Sequence, residues 1–78
     1  MKFAAIDIGT NAVRLLIKEV NLIDGVCEVR KVSFTRVPLR LGEDVFETGR
    51  ISNKKARNLV KVMRAFWYLM DVYGIEWF

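Results

Sequence analysis

The residues best equipped for chemistry lie in one short stretch, Asp7-Ile8-Gly9-Thr10-Asn11, with Arg14 three residues further on. Gly9 lets backbone approach an anion closely. Successive amides of Gly9, Thr10 and Asn11 can form an anion-binding nest. The Thr10 hydroxyl and Asn11 amide add donors, and Arg14 supplies a planar, permanently charged fork suited to phosphate oxygens. Asp7 is the exception, because a carboxylate repels phosphate. Its chemical use is to hold Mg²⁺ directly or through waters, or to orient a water. The pentapeptide equally suits an ordinary Asx-Gly turn in which Asp7 is a local acceptor. It is neither a GxxxxGK[ST] loop nor a GxGxxG loop, both of which feed a helix.

Composition narrows the chemistry further. The chain has 78 residues, no His, one Cys, 53% hydrophobic residues and a net charge of +4. Without His there is no imidazole base, which removes Ser-His-Asp and Cys-His catalysis. Cys27 alone makes no disulfide within the chain, and one thiol without His cannot build a four-ligand zinc site. The length allows one small domain, and an unstapled core of this size rarely contributes more than about 3–5 kcal/mol. Asp7 ends the first apolar run far short of an export signal. Charge-free runs such as Ala65 to Met70 are far below the ~20 residues of a membrane span. These features predict a cytoplasmic protein with no membrane partner. The basic balance keeps a nucleic-acid-binding module as an alternative, without an RRM-like core or a basic-region helix to support it.

The elements that must position these residues follow from hydropathy. Phe3 to Ile8 is almost wholly apolar and reads as a strand buried on both faces. Gly9-Thr10-Asn11 makes a tight turn into a second strand, Ala12 to Val20, with Val13, Leu15 and Ile17 on one face and Arg14, Leu16 and Lys18 on the other. Asp24-Gly25 signals a hairpin into a loosely alternating third strand, Val26 to Val37, which Pro38 ends. Leu39 to Arg50, with two glycines, reads as a loop. From Ser52, an N-cap, the residues Ala56, Leu59, Val60, Met63, Phe66, Trp67, Met70 and Tyr73 recur at helical spacing. Lys54, Lys55, Arg57, Lys61 and Arg64 fall mostly on the solvated side, and Gly74 is a C′ residue. Ile75-Glu76-Trp77-Phe78 opens a further strand. That ending predicts that the polypeptide continues in a longer parent, to which the excess apolar surface belongs.

The stretch Phe3 to Ile17 resembles the first phosphate motif of the exopolyphosphatase/guanosine pentaphosphate phosphohydrolase family, within the actin, sugar kinase and Hsp70 superfamily. The Asp-x-Gly-Thr hairpin is shared across the superfamily; Asn11-x-x-Arg14-Leu15-Leu16-Ile17 is more particular to this family. Val37-Pro38-Leu39-Arg40-Leu41-Gly42-Glu43-Asp44 is similar to its Arg-Leu-Gly-Glu-Gly element, followed by Thr48-Gly49-Arg50-Ile51-Ser52 before a long helix. Asp44 departs from that element, where the family often has Gly.

The resemblance covers essentially all 78 residues and implies an α/β fold. The fold it implies is a ribonuclease H-like half-lobe: antiparallel β-β-β, one amphipathic helix and the start of a further strand. Residues 1–78 are then the N-terminal part of one actin-like lobe, with no second domain. Gly9, Thr10, Asn11, Arg14 and Arg40 would bind phosphate, Asp7 would hold Mg²⁺, and Gly42 and Glu43 would line the same cleft. The substrates implied for the parent are polyphosphate or guanosine pentaphosphate, and a homodimer is left open. The family's catalytic Glu lies in a Glu-x-x-Thr-Ser-type stretch beyond this sequence, so no catalytic residue falls within the chain and the chain alone is expected to be inert. An actin-like ATPase or sugar kinase fragment is the enzymatic alternative; Arg40-Leu41-Gly42-Glu43 argues against it.

Overall fold

The computed structural model describes residues 1–75. Three strands form one antiparallel sheet in chain order: β1 (Lys2–Ile8), β2 (Val13–Ile23) and β3 (Val26–Val37). The β1–β2 register places Ala4 opposite Ile17, Ile6 opposite Leu15 and Asp7 opposite Arg14. Asp24 and Gly25 both take positive φ, 51° and 77°, as a two-residue hairpin turn requires. Val13, Leu15 and Ile17 are fully buried on the covered face. Among the described residues β1 is an edge strand whose other face is open, with Ala5 and Asp7 exposed. Burial of β1 on both faces, expected from its composition, is therefore not met among the described residues.

β3 explains its own loose alternation. Ile17 pairs with Ser33 but Lys18 pairs with Lys31, so Val32 is an extra residue in a β-bulge. A bulge changes the phase of the pleat. Val32 packs on the core beside its neighbour's row, and beyond it Phe34 and Arg36 stand opposite Leu16 and Arg14 on the open face.

Two helices follow where one was expected. Leu39 to Arg50 is not all loop: it contains α1 (Leu41–Thr48), closed by Gly49 in the left-handed conformation at φ 72°. The long helix α2 (Asn53–Tyr73) begins where Ser52 accepts the Lys55 amide at 3.2 Å, and ends at Gly74, φ 67°. Residues Glu76 to Phe78, three of the four assigned to a further strand, lie outside the described residues.

The core lies between the sheet and the helices: Ala4, Val13, Leu15, Ile17, Leu41, Phe66 and Met70, flanked by Leu59, Val62, Met63, Leu69 and Tyr73. The buried stripe of α2 is rotated from the expected one. Val62 and Leu69 face inward, while Ala56, Val60 and Trp67 are exposed. Lys2 donates to the Tyr73 carbonyl at 3.1 Å and fastens β1 to the end of α2.

Lys55 is not solvated in the manner its neighbours suggest. Its ammonium donates to the Arg40 carbonyl at 2.7 Å and lies 3.4 Å from both Glu43 and Asp44. Asp44 in turn accepts the Ser52 amide at 3.1 Å. Hydrogen bonding from Ser52, with Lys55 adding to it and desolvation opposing, holds the Asp44 carboxyl below its ordinary value of 3.8. A depressed folded-state pKa contributes stability that is present above the unfolded value and lost as pH falls through the folded one. The thermal midpoint of the chain is therefore expected to decline as pH drops below about 4. Asp44→Asn should shrink that acid-side decline in a pH series of melts; an undiminished slope would exclude Asp44 as a source.

Candidate phosphate-binding site

The β1–β2 turn is closed by Gly9, whose amide donates to the Ala12 carbonyl at 2.9 Å. A Cβ on Gly9 would meet that carbonyl at 3.1 Å and the Arg14 Nη1 at 3.7 Å. Glycine is thus used here for close packing of the turn. Its amide points into the turn, which corrects the expectation that it joins an outward nest. The amides of Thr10 and Asn11 take no intramolecular partner among the described residues. They are the backbone donors left for an anion.

The carbonyls on this turn have a different task. Thr10 accepts the Gly42 amide at 2.8 Å and Asn11 accepts the Arg40 amide at 2.9 Å. The entry to α1 is therefore bound directly to the hairpin. A Cβ on Gly42 would lie 2.9 Å from the Thr10 Cβ and 3.3 Å from the Phe46 ring, so this approach requires glycine. Arg40 is the helix N-cap and adopts φ 54°, ψ 47°, the left-handed region, with no side-chain cap. Non-glycine residues in that region cost of order 1–2 kcal/mol. Its backbone is held at both ends, by Asn11 at the amide and by Lys55 at the carbonyl.

Two charged pairs flank the turn. Arg14 donates to Asp7 at 3.1 Å, with side-chain exposures of 40% and 68%. Arg40 approaches Glu43 at 3.5 Å, and both are exposed. Exposed pairs of this kind contribute at most about 1 kcal/mol, so they leave both guanidinium groups open to a stronger anion. No hydrogen bond or ion pair joins the Asp7–Arg14 pair to the Arg40–Glu43 pair among the described residues. The backbone of Thr10 and Asn11 connects them.

An open cleft of about 480 Å³ lies beside the turn, lined by Asn11, Arg36, Pro38, Arg40 and Glu43. Asn11, Arg40 and Glu43 are among the residues expected to share one cleft, whereas Gly9, Thr10 and Gly42, expected in the same cleft, line a separate depression with Leu41 and Phe46. Neither Arg36 in this cleft nor Lys55 as the support for Arg40 was anticipated from the sequence. The signal for Arg36 was its even spacing before Pro38 at the strand end, readable once β3 was registered against Arg14. No such pattern marked Lys55, whose role depends on how α1 folds back.

Asp7 is a single exposed carboxylate, and the described residues hold no group of three Asp, Glu, His or Cys able to cage a metal. Mg²⁺ retains several waters and is commonly held by one or two carboxylates together with substrate phosphates. The donor chemistry at Asp7 fits that mode. No helix among the described residues is long and apolar enough to cross a membrane.

No family model and no curated protein matches the chain; solved structures do. It is similar to the Aquifex aeolicus member of the Ppx/GppA family, with TM-score 0.87 and 30% identity over 99% of this chain and 24% of that one. The type II variant of the Aquifex aeolicus Ppx/GppA phosphatase matches with TM-score 0.83 and 30% identity over the same shares. A further structure of the Aquifex aeolicus PPX-GPPA enzyme gives TM-score 0.83 and 31% identity, again over 99% and 24%. The chain thus spans about a quarter of the length of the solved relatives that it matches.

Proposed function

We propose, taking as premise that this chain is a segment of the Ppx/GppA family, that it forms the phosphate- and metal-binding portion of a phosphohydrolase. The parent enzyme cleaves the terminal phosphoanhydride of polyphosphate or of guanosine pentaphosphate. The observation that supports this most is the arrangement at the β1–β2 turn. Thr10 and Asn11 present unpaired amides there, Arg14 rises beside them from the same hairpin, and Arg40 is fixed to the turn by its own backbone.

Phosphoryl transfer is catalysed largely by positioning and by stabilising charge on the transferring group. In this reading the amides of Thr10 and Asn11 orient one phosphate, and the guanidinium groups of Arg14 and Arg40 neutralise its oxygens. Asp7 would hold Mg²⁺ through water, and the bound ion would neutralise further phosphate charge. Asp7 also keeps Arg14 extended toward the turn through their 3.1 Å contact. The base that activates water is supplied from outside this chain, so the 78 residues bind substrate without turning it over.

Titration of the chain with tripolyphosphate at low salt tests the reading. Arg14→Gln removes a charge-assisted contact and leaves Asp7 uncompensated beside the anion, so affinity should fall about tenfold or more. Arg57→Gln, on the exposed side of α2, should change it less than about twofold. Equal losses in the two variants, with both folded by circular dichroism, would reduce the binding to general charge attraction.

A further inference from the structure

Arg36 takes no part in the phosphate contacts assigned to Thr10, Asn11, Arg14 and Arg40, yet its position is unusual. It stands directly opposite Arg14 in the β2–β3 register, and Asp7 stands opposite Arg14 on the other side. One row across the sheet therefore reads carboxylate, guanidinium, guanidinium. Like charges directly opposed across a strand pair destabilise it. Asp7 answers Arg14 at 3.1 Å, but among the described residues no carboxylate forms an ion pair with Arg36. The acid on its own cleft, Glu43, is shared between Arg40 at 3.5 Å and Lys55 at 3.4 Å. Arg36 and Arg40 thus line one cleft, with Asn11 at its side and Arg36 without a counter-charge.

Arg36 is one strand spacing, about 5 Å, from Arg14, but it opens on the cleft shared with Arg40 and Asn11, which Arg14 does not line. A single phosphate seated on the Thr10 and Asn11 amides and Arg14 leaves the Arg36 end of that row unanswered. A second, linked phosphate would answer it. We infer that Arg36 is a phosphate-contacting residue. It holds the next group of an extended anion whose first group lies at the turn, and so makes the site selective for linked phosphates over orthophosphate. This rests on the phosphate-binding reading above.

The test compares the affinities of the 78-residue chain for tripolyphosphate and for orthophosphate, in the unsubstituted form, Arg36→Gln, Arg14→Gln and Arg57→Gln. Arg36→Gln should weaken tripolyphosphate about tenfold, as loss of one charge-assisted contact does, and orthophosphate less than twofold. Its thermal midpoint should hold or rise, because a like-charge pair is relieved. Equal losses for both anions, a loss no larger than that of Arg57→Gln, or a marked drop in the midpoint would overturn the inference. If Arg14→Gln weakens binding and Arg36→Gln does not, this inference alone fails. If the unsubstituted chain binds neither anion, the phosphate-binding reading fails with it.

Discussion

Phe66→Ala should leave this chain largely unfolded at room temperature. Phe66 is 1% exposed and sits among Leu15, Ile17, Val13 and Met70, the centre of the sheet–helix contact. Truncating a buried phenylalanine typically costs about 3–5 kcal/mol through lost transfer energy and a residual cavity. An unstapled core of this size rarely contributes more than about the same amount. The loss therefore rivals the whole margin. Phe66→Leu retains most of the volume and should stay folded with a lowered midpoint. Val72→Ala, at a position 79% exposed on the same helix, should stay within about 0.5 kcal/mol of the parent. Circular dichroism melts check all three; comparable melts for Phe66→Ala and Val72→Ala would mean that α2 does not seal this core.

The second large effect is local. Gly42→Val is expected to abolish specific phosphate binding while the sheet and α2 stay folded. A Cβ at residue 42 already meets Thr10 at 2.9 Å, from its Cβ, and at 3.3 Å, from its carbonyl. Two further methyl groups cannot be accommodated by a rotamer change, because the obstacle includes backbone. Overpacking of this sort costs about 1–3 kcal/mol, and α1 can avoid it by withdrawing from the hairpin. Withdrawal breaks the Gly42–Thr10 and Arg40–Asn11 hydrogen bonds and removes Arg40 from the turn. Withdrawal also exposes Leu41 at the edge of the core, but Val13, Leu15, Ile17, Phe66 and Met70 still bury one another between β2 and α2. Amide NMR spectra should show shifts concentrated at residues 9–12 and 40–48, with the tripolyphosphate response lost. Near-normal affinity in a folded Gly42→Val variant would refute the docking of α1 as a requirement of the site.

Much of this arrangement was legible in the sequence wherever a local rule decided it. Asp24-Gly25 has one conformation that closes a two-residue hairpin. The turn at residues 9–12 fixes the β1–β2 register, and with it the meeting of Asp7 and Arg14. Ser52 and Gly74 bound α2 by capping chemistry that needs no tertiary partner. What was not legible depends on contacts between distant segments. α1 is only two turns long, begins at an N-cap without a side-chain cap, and is positioned by the fit of Gly42 against Thr10. Its own residues carry little helical signal beside two glycines and a preceding proline. The bulge at Val32 hid the face of Arg36, since alternation read through an extra residue puts every later side chain on the wrong side. On α2, spacings of three and four are met by two overlapping stripes. Only packing against the sheet selects the one with Val62 and Leu69 over the one with Val60 and Trp67.

Arg40, to which the proposed function assigns a phosphate contact, holds a backbone conformation that its own Cβ opposes. Glycine would adopt φ 54° without that cost, at the loss of a guanidinium. The two demands on this position thus point in opposite directions. A lineage drifting under pressure for stability alone would accept Arg40→Gly, recovering the part of that cost which exceeds the roughly 0.5–1 kcal/mol of extra backbone entropy glycine loses on folding. Retention of arginine at a left-handed position would then mark purifying selection for ligand affinity. Thermostability engineering by consensus or by strain relief carries the same hazard here: its most rewarding backbone correction would erase part of the site.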